Sequence, residues 1–393
     1  MIRVSTLLAA LLLFGSCASD GPGSTVESAP NSNFISASVF PRSVYVQYAA
    51  GFDFVFNERG RDRCGLMMKS VDTGRGLSLW FKSPADSAGA YALCPNCRAH
   101  LLQDAGRSDS LSALRIATWS TTHVPLLLEA GGQSAWVASG YPGHLTGFDT
   151  SGVADLGGPA GIDKETLLIC GADILTSYPF GNPMEGLTET TGVAVLPLEE
   201  YRESHPLARS EYVLLFGWLA GTAEEAASAF EEVKHRYLTL CEEARVLAIN
   251  SGHRPRVFTG SEDAGLWHAP GGQTLAAQLI RDAGAVYMMD SISTAASERG
   301  NVQIDLERML ILAKDADFWG KVVHAPGGWS REAALSEVPW LDSDSLGLFH
   351  CNTSTAQYFT RAVIEPHQML ADLLHIFHPD TVERSFSYFQ PTR

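Results

Sequence analysis

The longest regular hydrophobic pattern in the chain covers residues 222–248. Its apolar positions recur every three or four residues, at Phe230, Val233, Tyr237, Leu240, Ala244 and Leu247. That spacing places one apolar stripe along a helix. Thr222 and Glu225 have the spacing of a capping box, and Gly252 is suited to end the helix. The pattern predicts one helix of about 40 Å, long enough to connect two lobes.

The segments on either side of this helix have different patterns. Residues 34–110 contain short alternating apolar runs, which are typical of antiparallel strands. From residue 114 onward, and again after residue 251, short apolar runs alternate with helical stretches. This alternation favours parallel α/β sheets. We therefore predict an α/β fold of two Rossmann-like lobes with central parallel sheets, bridged by a single long helix. Extra antiparallel strands should lie at the front of the N-terminal lobe.

The predicted domain boundaries follow from these patterns. The N-terminal lobe covers residues 34–221, the connecting helix 222–250, and the C-terminal lobe, with its C-terminal helix, 251–393.

The first residues predict export. Arg3 precedes an apolar run at residues 7–14, and Gly15 and Ser16 follow, so residues 1–16 are interpreted as a signal peptide. Cys17, directly after them, resembles the acylated cysteine of a bacterial lipobox, although an ordinary cleaved signal with an incidental cysteine is the alternative. Residues 17–33 are small and polar, as in a flexible tether. We expect a periplasmic protein anchored to a membrane as a lipoprotein.

A short repeat flanks the predicted connecting helix. Residues 162–168 and 304–310 both read Ile-Asp-x-Glu-x-apolar-Leu. This pattern predicts, in each half, a helix with Asp as its N-cap and Glu in its first turn, where the helix dipole favours a negative charge. Asp173 and Asp315 each follow the repeat's first residue by eleven positions and lead into a predicted strand.

Composition narrows the function further. The formal net charge is −16, which disfavours nucleic acid as a partner. Neither a G-x-S-x-G elbow, a P-loop nor an H-E-x-x-H motif occurs, so we predict no catalytic residues, no metal site and no cofactor. Cys94 and Cys97 form a lone C-x-x-C, interpreted as a structural disulfide or two unlinked thiols.

Six segments together resemble a known family, namely residues 115–132, 153–175, 204–222, 269–287, 304–319 and 365–379. In order and spacing they are similar to the periplasmic substrate-binding components of ABC importers for iron chelates and cobalamin, especially the Bacteroidetes-type lipoprotein branch. The resemblance implies a monomer that binds its ligand between two lobes and delivers it to an ABC permease and its ATPase. The implied ligand is an iron chelate, either a siderophore or haem. A corrinoid is the alternative, and a metal-ion-binding importer subunit is a more distant one.

Loops at strand ends supply the candidate ligand-binding residues, because α/β sheets present ligand groups there. These candidates are Thr122, His123, Tyr141, Tyr178, Trp267, His268, Trp329 and Tyr358. The resemblance also implies that Glu165 and Glu307 pair with arginines of the permease during docking. We interpret Arg209 and Glu211 as an ion pair within the N-terminal lobe. The family's acidic run near the C-terminus is replaced here by residues 356–361, ending in Arg361, which points to an anionic substrate.

Overall fold

The computed structural model describes residues 34–35, 46–57, 63–74, 76–81, 114–179, 184, 186–292, 294, 297–341, 345–379 and 385–393. The predicted signal peptide, the tether with Cys17, and the Cys94–Cys97 pair lie outside these ranges. All described residues belong to one compact unit, Ser32–Arg393. No helix of the described ranges is both long enough and apolar enough to span a bilayer.

An antiparallel sheet stands at the front of the N-terminal lobe, as predicted. Its strands follow the order β1-β2-β3-β4. They are β1 (Phe34–Ile35), β2 (Phe52–Asn57), β3 (Arg63–Lys69) and β4 (Gly76–Phe81). The sheet packs on a buried helix of the lobe, where the rings of Phe52 and Tyr212 lie 4.8 Å apart.

The N-terminal lobe is built on a five-stranded parallel sheet of order β11-β10-β5-β6-β7. The strands are β5 (Ile116–Thr118), β6 (Trp136–Ser139), β7 (Ala154–Asp155), β10 (Ile174–Ser177) and β11 (Ala194–Pro197), with a two-stranded ribbon of β8 (Gly157–Gly158) and β9 (Gly161–Ile162). The helices are α1 (His123–Glu129), α2 (Lys164–Ile169), α3 (Leu187–Thr191) and α4 (Pro206–Ala220). Every residue of α4 except Arg209 is buried, because the helix is packed within the core of the lobe.

The predicted connecting helix is α5 (Ala223–Ser251). Phe230 packs into the core of the N-terminal lobe, whereas Val233 and Tyr237 pack into the core of the C-terminal lobe. Gly252 ends the helix in the left-handed conformation, with φ of 64°. The capping-box prediction is wrong, because the side chain of Thr222 makes no capping hydrogen bond and its Oγ1 is buried without a partner among the described residues.

The C-terminal lobe repeats the parallel architecture. Its main sheet has the order β15-β12-β17-β18-β19, in which only β19 is antiparallel to its neighbour. A second, antiparallel sheet has the order β13-β14-β16 and was not predicted. The strands are β12 (Arg256–Thr259), β13 (Ser261–Asp263), β14 (Leu266–Pro270), β15 (Val286–Tyr287), β16 (Asn301–Asp305), β17 (Phe318–Val323), β18 (Gly347–Asn352) and β19 (Phe389–Pro391). The helices are α6 (Leu275–Asp282), α7 (Leu306–Ala313), α8 (Arg331–Glu337) and α9 (Pro366–Phe377).

A buried carboxylate replaces one expected strand. The alternating run that ends at Tyr48 predicts a strand, yet residues 46–50 have none. Instead, Glu211 of α4 accepts hydrogen bonds from the backbone N–H groups of Gln47, Tyr48 and Ala49, at 2.6, 2.7 and 2.7 Å. These donors are therefore satisfied without a sheet. The predicted Arg209–Glu211 ion pair does not form among the described residues; the carboxylate of Glu211 binds the backbone of residues 47–49, and Arg209 Nε has no hydrogen-bond partner there.

Candidate functional site

Loops at the carboxyl ends of the two parallel sheets contact each other. The loop after β18 reaches the N-terminal lobe, where Gln357 Nε2 donates a hydrogen bond to the carbonyl of Thr146 at 3.2 Å. Thr121 Oγ1 returns a hydrogen bond to the carbonyl of Phe359, also at 3.2 Å. Thr121 follows β5 and Thr146 follows β6. We call the region between the loops after β5, β6 and β10 of the N-terminal lobe and the loops after β17 and β18 of the C-terminal lobe the inter-lobe cleft.

Two predicted residues, Tyr141 and Tyr178, lie together on the N-terminal wall of the cleft. Burial and a hydrogen bond to Tyr178 raise the pKa of Tyr141 to about 12. The Tyr141 ring lies 5.1 Å from that of Trp119, and its backbone is left-handed, with φ of 52°. Such a conformation is uncommon for a residue with a large side chain. Here the backbone N–H of Tyr141 donates to the carbonyl of Gly157 at 2.7 Å, which holds the tyrosine in position.

Thr122 and His123 form hydrogen bonds inside the N-terminal lobe instead of facing the cleft. Thr122 Oγ1 donates to Glu200 Oε1 at 2.7 Å. His123 has no exposed surface; its Nδ1 lies 3.0 Å from Thr176 Oγ1 and its Nε2 3.4 Å from Glu200 Oε2. Because a buried carboxylate needs a partner, the imidazole is committed to Glu200. The interpretation of His123 as a ligand-contacting residue is therefore corrected.

The environment of Glu200 explains why this pair is stable. Burial pushes the pKa of Glu200 upward, but the opposing effects of His123 and of the hydrogen bonds from His123 and Thr122 prevail, so the pKa lies below its usual range. The carboxylate is therefore ionised inside the lobe at neutral pH.

Trp267 also lies in a core rather than in the cleft. It has no exposed surface, and its Nε1 donates to the carbonyl of Thr259 at 2.9 Å. Its ring lies 5.8 Å from both Phe258 and Trp319. Since β14 is a strand, alternation turns Trp267 toward the core and places the half-buried His268 on the opposite face. The prediction for Trp267 is corrected, and His268 stays a candidate.

Tyr358 and Trp329 occupy different parts of the C-terminal lobe. Tyr358 is half-buried in the loop after β18, and its ring lies 5.2 Å from that of Phe359. Trp329 is half-buried, and its ring lies 5.2 Å from that of His350. It lines a cavity of about 630 Å³ that extends from the loop after β17 to Asn352 and the C-terminal residue.

Three further side chains at strand ends were missed by the sequence interpretation. His144 is exposed, and its ring lies 6.3 Å from that of Tyr141. His324 directly follows β17, and its Nδ1 lies 3.2 Å from Thr353 Oγ1. Phe359 is 56% exposed. Each of these residues lies close to a strand end or to another candidate residue. Their positions in the sequence could therefore have identified them as candidates.

Arg361 does not support an anionic substrate. Its Nε and Nη2 donate to Glu365 Oε1 at 3.0 and 2.7 Å. The guanidinium charge is therefore neutralised within the protein. Among the described residues, no group of three or more His, Cys, Asp and Glu side chains is arranged to hold a metal ion.

The repeat is confirmed as two equivalent helix starts. Asp163 accepts hydrogen bonds from the backbone N–H groups of Glu165 and Thr166, and Asp305 accepts one from Arg308. Both Glu165 and Glu307 are exposed in the first turn of their helices. Neither forms an ion pair with another residue of the described ranges.

The equivalence of the two lobes extends into the strands, with one correction. The backbone N–H of Arg115 donates to Asp173 Oδ2, and that of Arg256 donates to Asp317 Oδ2, both at 2.7 Å. Asp317, rather than the predicted Asp315, is thus the counterpart of Asp173. Asp173 follows the first residue of its repeat by 11 positions and Asp317 by 13. The segment that joins the repeat to the strand is therefore two residues longer in the C-terminal lobe.

Comparison with known proteins identifies the fold. No family model and no curated protein sequence matches the chain. A periplasmic heme-binding protein from Pseudomonas aeruginosa matches 71% of this chain and 98% of its own, with 18% identity and a TM-score of 0.54. An ABC transporter substrate-binding protein from Listeria monocytogenes matches 68% and 100%, with 10% identity and a TM-score of 0.51. A periplasmic binding protein from Veillonella parvula matches 70% and 94%, with 13% identity and a TM-score of 0.51. The chain has the two-lobe fold of periplasmic substrate-binding proteins.

Proposed function

We propose that the protein is a lipid-anchored substrate-binding protein of an ABC importer. It captures an iron chelate, a siderophore or haem, in the inter-lobe cleft and delivers it to the permease. One observation carries the proposal: loops at the carboxyl ends of the two parallel sheets contact each other, and the long helix α5 packs into the cores of both lobes. The fold shared with a periplasmic heme-binding protein supports it.

The chemistry of the cleft favours a ligand with flat, conjugated parts. Tyr141, Tyr178, Tyr358 and the exposed Phe359 offer aromatic faces, and the three tyrosines also offer hydroxyl groups. Such faces stack on macrocycles and catecholates. His144 and His324 add imidazoles at the strand ends, a type of ligand that haem iron accepts.

A binding screen tests the proposal. Haemin, ferric hydroxamate and catecholate siderophores, and cobalamins are added to the purified protein in thermal-shift and intrinsic-fluorescence assays. We expect one iron chelate to raise the melting temperature and to quench tryptophan emission. A response to cobalamins alone would support the corrinoid alternative, and tightly held zinc or manganese would support a metal-ion importer. No response to any of these compounds overturns the proposal.

The membrane anchor is a separate part of the proposal. Acylation of Cys17 would hold the protein at the periplasmic face of a membrane, with residues 17–33 as its tether. Metabolic labelling with palmitate should mark the wild-type chain and leave Cys17→Ser unlabelled. Equal labelling of the variant, or an unlabelled wild type, contradicts the anchor.

Docking is assigned to Glu165 and Glu307, which we propose to pair with arginines of the permease. Charge-assisted carboxylate–guanidinium contacts give both attraction and orientation. The double variant Glu165→Arg/Glu307→Arg should lose uptake while keeping its ligand affinity. Glu224→Arg is a matched control, because Glu224 is also exposed in the first turn of a helix, α5. Unchanged uptake by the double variant would exclude this docking role.

A further inference from the structure

The turn between β3 and β4 contacts both lobes. We call residues 70–74 the front turn, because they belong to the antiparallel sheet at the front of the N-terminal lobe. On one side, the carboxylate of Asp72 pairs with the guanidinium of Arg202 in the N-terminal lobe. On the other side, the carbonyl of Val71 accepts a hydrogen bond from Arg299 Nη1 of the C-terminal lobe, at 3.3 Å. The front turn therefore joins the two lobes.

The N-terminal lobe anchors the front turn through buried carboxyl groups. The backbone N–H of Val71 donates to Glu199 Oε2 at 3.0 Å. Before β2, the backbone N–H groups of residues 50–51 both donate to Glu203 Oε1 at 2.8 Å. Burial raises the pKa of Glu203, and the positive charge of Arg299 opposes that rise. The front turn is thus fixed on the N-terminal lobe, close to an arginine of the other lobe.

The arginine is anchored on the C-terminal lobe in a comparable way. Gly300, the residue after Arg299, accepts a backbone hydrogen bond at 2.7 Å from Gly271, which directly follows β14. The packing there is close, because a Cβ added to Gly271 would lie 2.2 Å from the carbonyl oxygen of Ser297. The side chain of Arg299 is nevertheless 52% exposed, and its Nη1 lies 4.0 Å from Asp72 Oδ1. Two anchored segments therefore meet through an exposed, polar contact.

Buried apolar packing joins the lobes elsewhere. Val363 and Ile364 of the C-terminal lobe lie in the core of the N-terminal lobe, and Leu207 of the N-terminal lobe lies in the core of the C-terminal lobe. We call these three residues, together with α5, the buried joint. Burial of apolar surface stabilises such a joint, whereas exposed ionic contacts are weak and are screened by salt. The contact of the front turn can therefore break while the buried joint stays intact.

The strand order places the front turn at one flank of the cleft. Arg202 follows β11 and Arg299 follows β15, and each of these strands is an edge of its main sheet. The hydrogen bond between Gln357 and Thr146 joins the loops after β18 and β6. In each sheet, that strand lies three strands away from the edge. The lobes therefore meet at two separate places, and the front turn holds the β11–β15 flank.

We propose that Val71, Asp72 and Arg299 form a clasp that holds the lobes together along the β11–β15 flank of the cleft. When the guanidinium of Arg299 leaves the front turn, the lobes rotate apart on that side about the buried joint. Such hinge motions around a packed interface are a common form of domain movement. The clasp does not depend on which ligand the cleft takes, but its effect on ligand release rests on the proposed function.

Pulsed electron paramagnetic resonance tests the clasp without a ligand. Spin-labelled non-natural side chains at Thr190 and Ser291 report the distance across the β11–β15 flank, and labels at Ser151 and Thr355 report the opposite flank. All four positions are exposed, and this labelling avoids the seven cysteines of the chain. Arg299→Ala should add a longer distance across the first flank and leave the second unchanged. The ratio of closed to open molecules should fall about threefold to fivefold, as for other exposed polar contacts.

Arg256→Ala is the matched control. The side chain of Arg256 is 49% exposed and its Nη2 lies 3.8 Å from Asp315 Oδ2, so this pair resembles the Arg299–Asp72 pair but lies within one lobe. The control should keep the wild-type distances across both flanks. Added salt should move the wild-type distances toward those of Arg299→Ala and leave that variant unchanged, because salt screens exposed charges.

The outcomes separate the clasp from the proposed function. Wild-type distances across the β11–β15 flank in Arg299→Ala would overturn the clasp. Equal displacement of both flanks would also overturn it, because the lobes would then not rotate about the buried joint. Haemin should dissociate about threefold faster from Arg299→Ala than from Arg256→Ala. A wild-type protein that binds neither haemin nor a ferric siderophore overturns the proposed function alone, since the distance measurement needs no ligand.

Discussion

The two lobes share the same repeated structural elements but differ in the side chains of their cores and of the cleft. Both contain the aspartate-capped helix, the exposed glutamate of its first turn and the Asp–backbone hydrogen bond at the start of the sheet. Both cores contain large aromatic side chains; the C-terminal core includes the fully buried Trp267, whereas the N-terminal core also encloses the polar pair His123–Glu200. The repeated elements are those on the outer surface and at the strand starts. Core chemistry and cleft residues are specific to each lobe.

The largest expected effect is on the aromatic core of the C-terminal lobe. Trp267→Ala should lower the free energy of unfolding by about 3–5 kcal/mol, because it leaves a cavity among fully buried rings. Urea denaturation followed by circular dichroism measures the change. Trp329→Ala is the control, since Trp329 is only half-buried and its loss should cost clearly less. Equal losses for the two variants would contradict the aromatic-core description.

The N-terminal core should respond differently, through charge. His123→Ala leaves Glu200 buried without its imidazole and should cost about 3 kcal/mol. The double variant His123→Ala/Glu200→Ala should cost less than the sum of the single variants, because it removes the uncompensated charge. Additive losses in this double-mutant cycle would show that the pair is not coupled.

The pH dependence of Glu200 follows from the direction of its pKa. Its pKa is lowered in the folded protein, so its contribution is present above the ordinary glutamate pKa and is lost as pH falls through the folded value. The stability difference between wild type and His123→Ala should therefore shrink in acid, at pH below about 4.5.

Two buried carboxyl groups, those of Glu211 and Asp372, hold backbone segments elsewhere in the chain, and their pH effect is smaller than that of Glu200 and opposite in sign. Asp372 of α9 accepts backbone N–H groups of Ser387, Tyr388 and Phe389, as Glu211 does for residues 47–49. Burial raises the pKa of Glu211 to about 7 and that of Asp372 to about 6. A raised folded pKa stabilises the protein below the unfolded value, and this stabilisation is lost as pH rises through the folded value.

The free energy of unfolding should therefore fall by about 1–3 kcal/mol for each of these two carboxyl groups between pH 5 and pH 8. Glu211→Gln should remove the part of this slope that ends near pH 7, and Asp372→Asn the part that ends near pH 6. Thermal denaturation at several pH values measures both. A wild-type protein that becomes more stable from pH 5 to pH 8 would contradict this assignment.

The sequence predicted those features that depend on local pattern. The long helix α5 follows from its apolar stripe, and both aspartate caps follow from the repeat. Features set by contacts between distant residues were not accessible. The run near Tyr48 has strand periodicity, but its backbone N–H groups donate to a carboxylate at sequence separations of 162 to 164 residues instead of to a neighbouring strand.

The candidate site was predicted only in part, for a related reason. Several ends of the parallel strands were located to within about two residues, and Tyr141 and Tyr178 come together at two of them. A sequence does not reveal on which face a side chain lies when the strand itself is missed, as for Trp267 on β14. It also does not reveal that His123 has a buried glutamate partner 77 residues later.

The central claim is that one ligand contacts both lobes in the inter-lobe cleft, and titrations with variants in each lobe test it most directly. Haemin is followed at its Soret band, with ferric siderophores and cyanocobalamin titrated in parallel. Tyr178→Ala in the N-terminal lobe and Tyr358→Ala in the C-terminal lobe are compared with Leu238→Ser, which is 45% exposed on α5. We predict saturation at one ligand per chain for wild type and Leu238→Ser, and at least tenfold weaker binding for each tyrosine variant. No saturable binding to the wild-type protein, or binding that both tyrosine variants retain in full, would contradict the account.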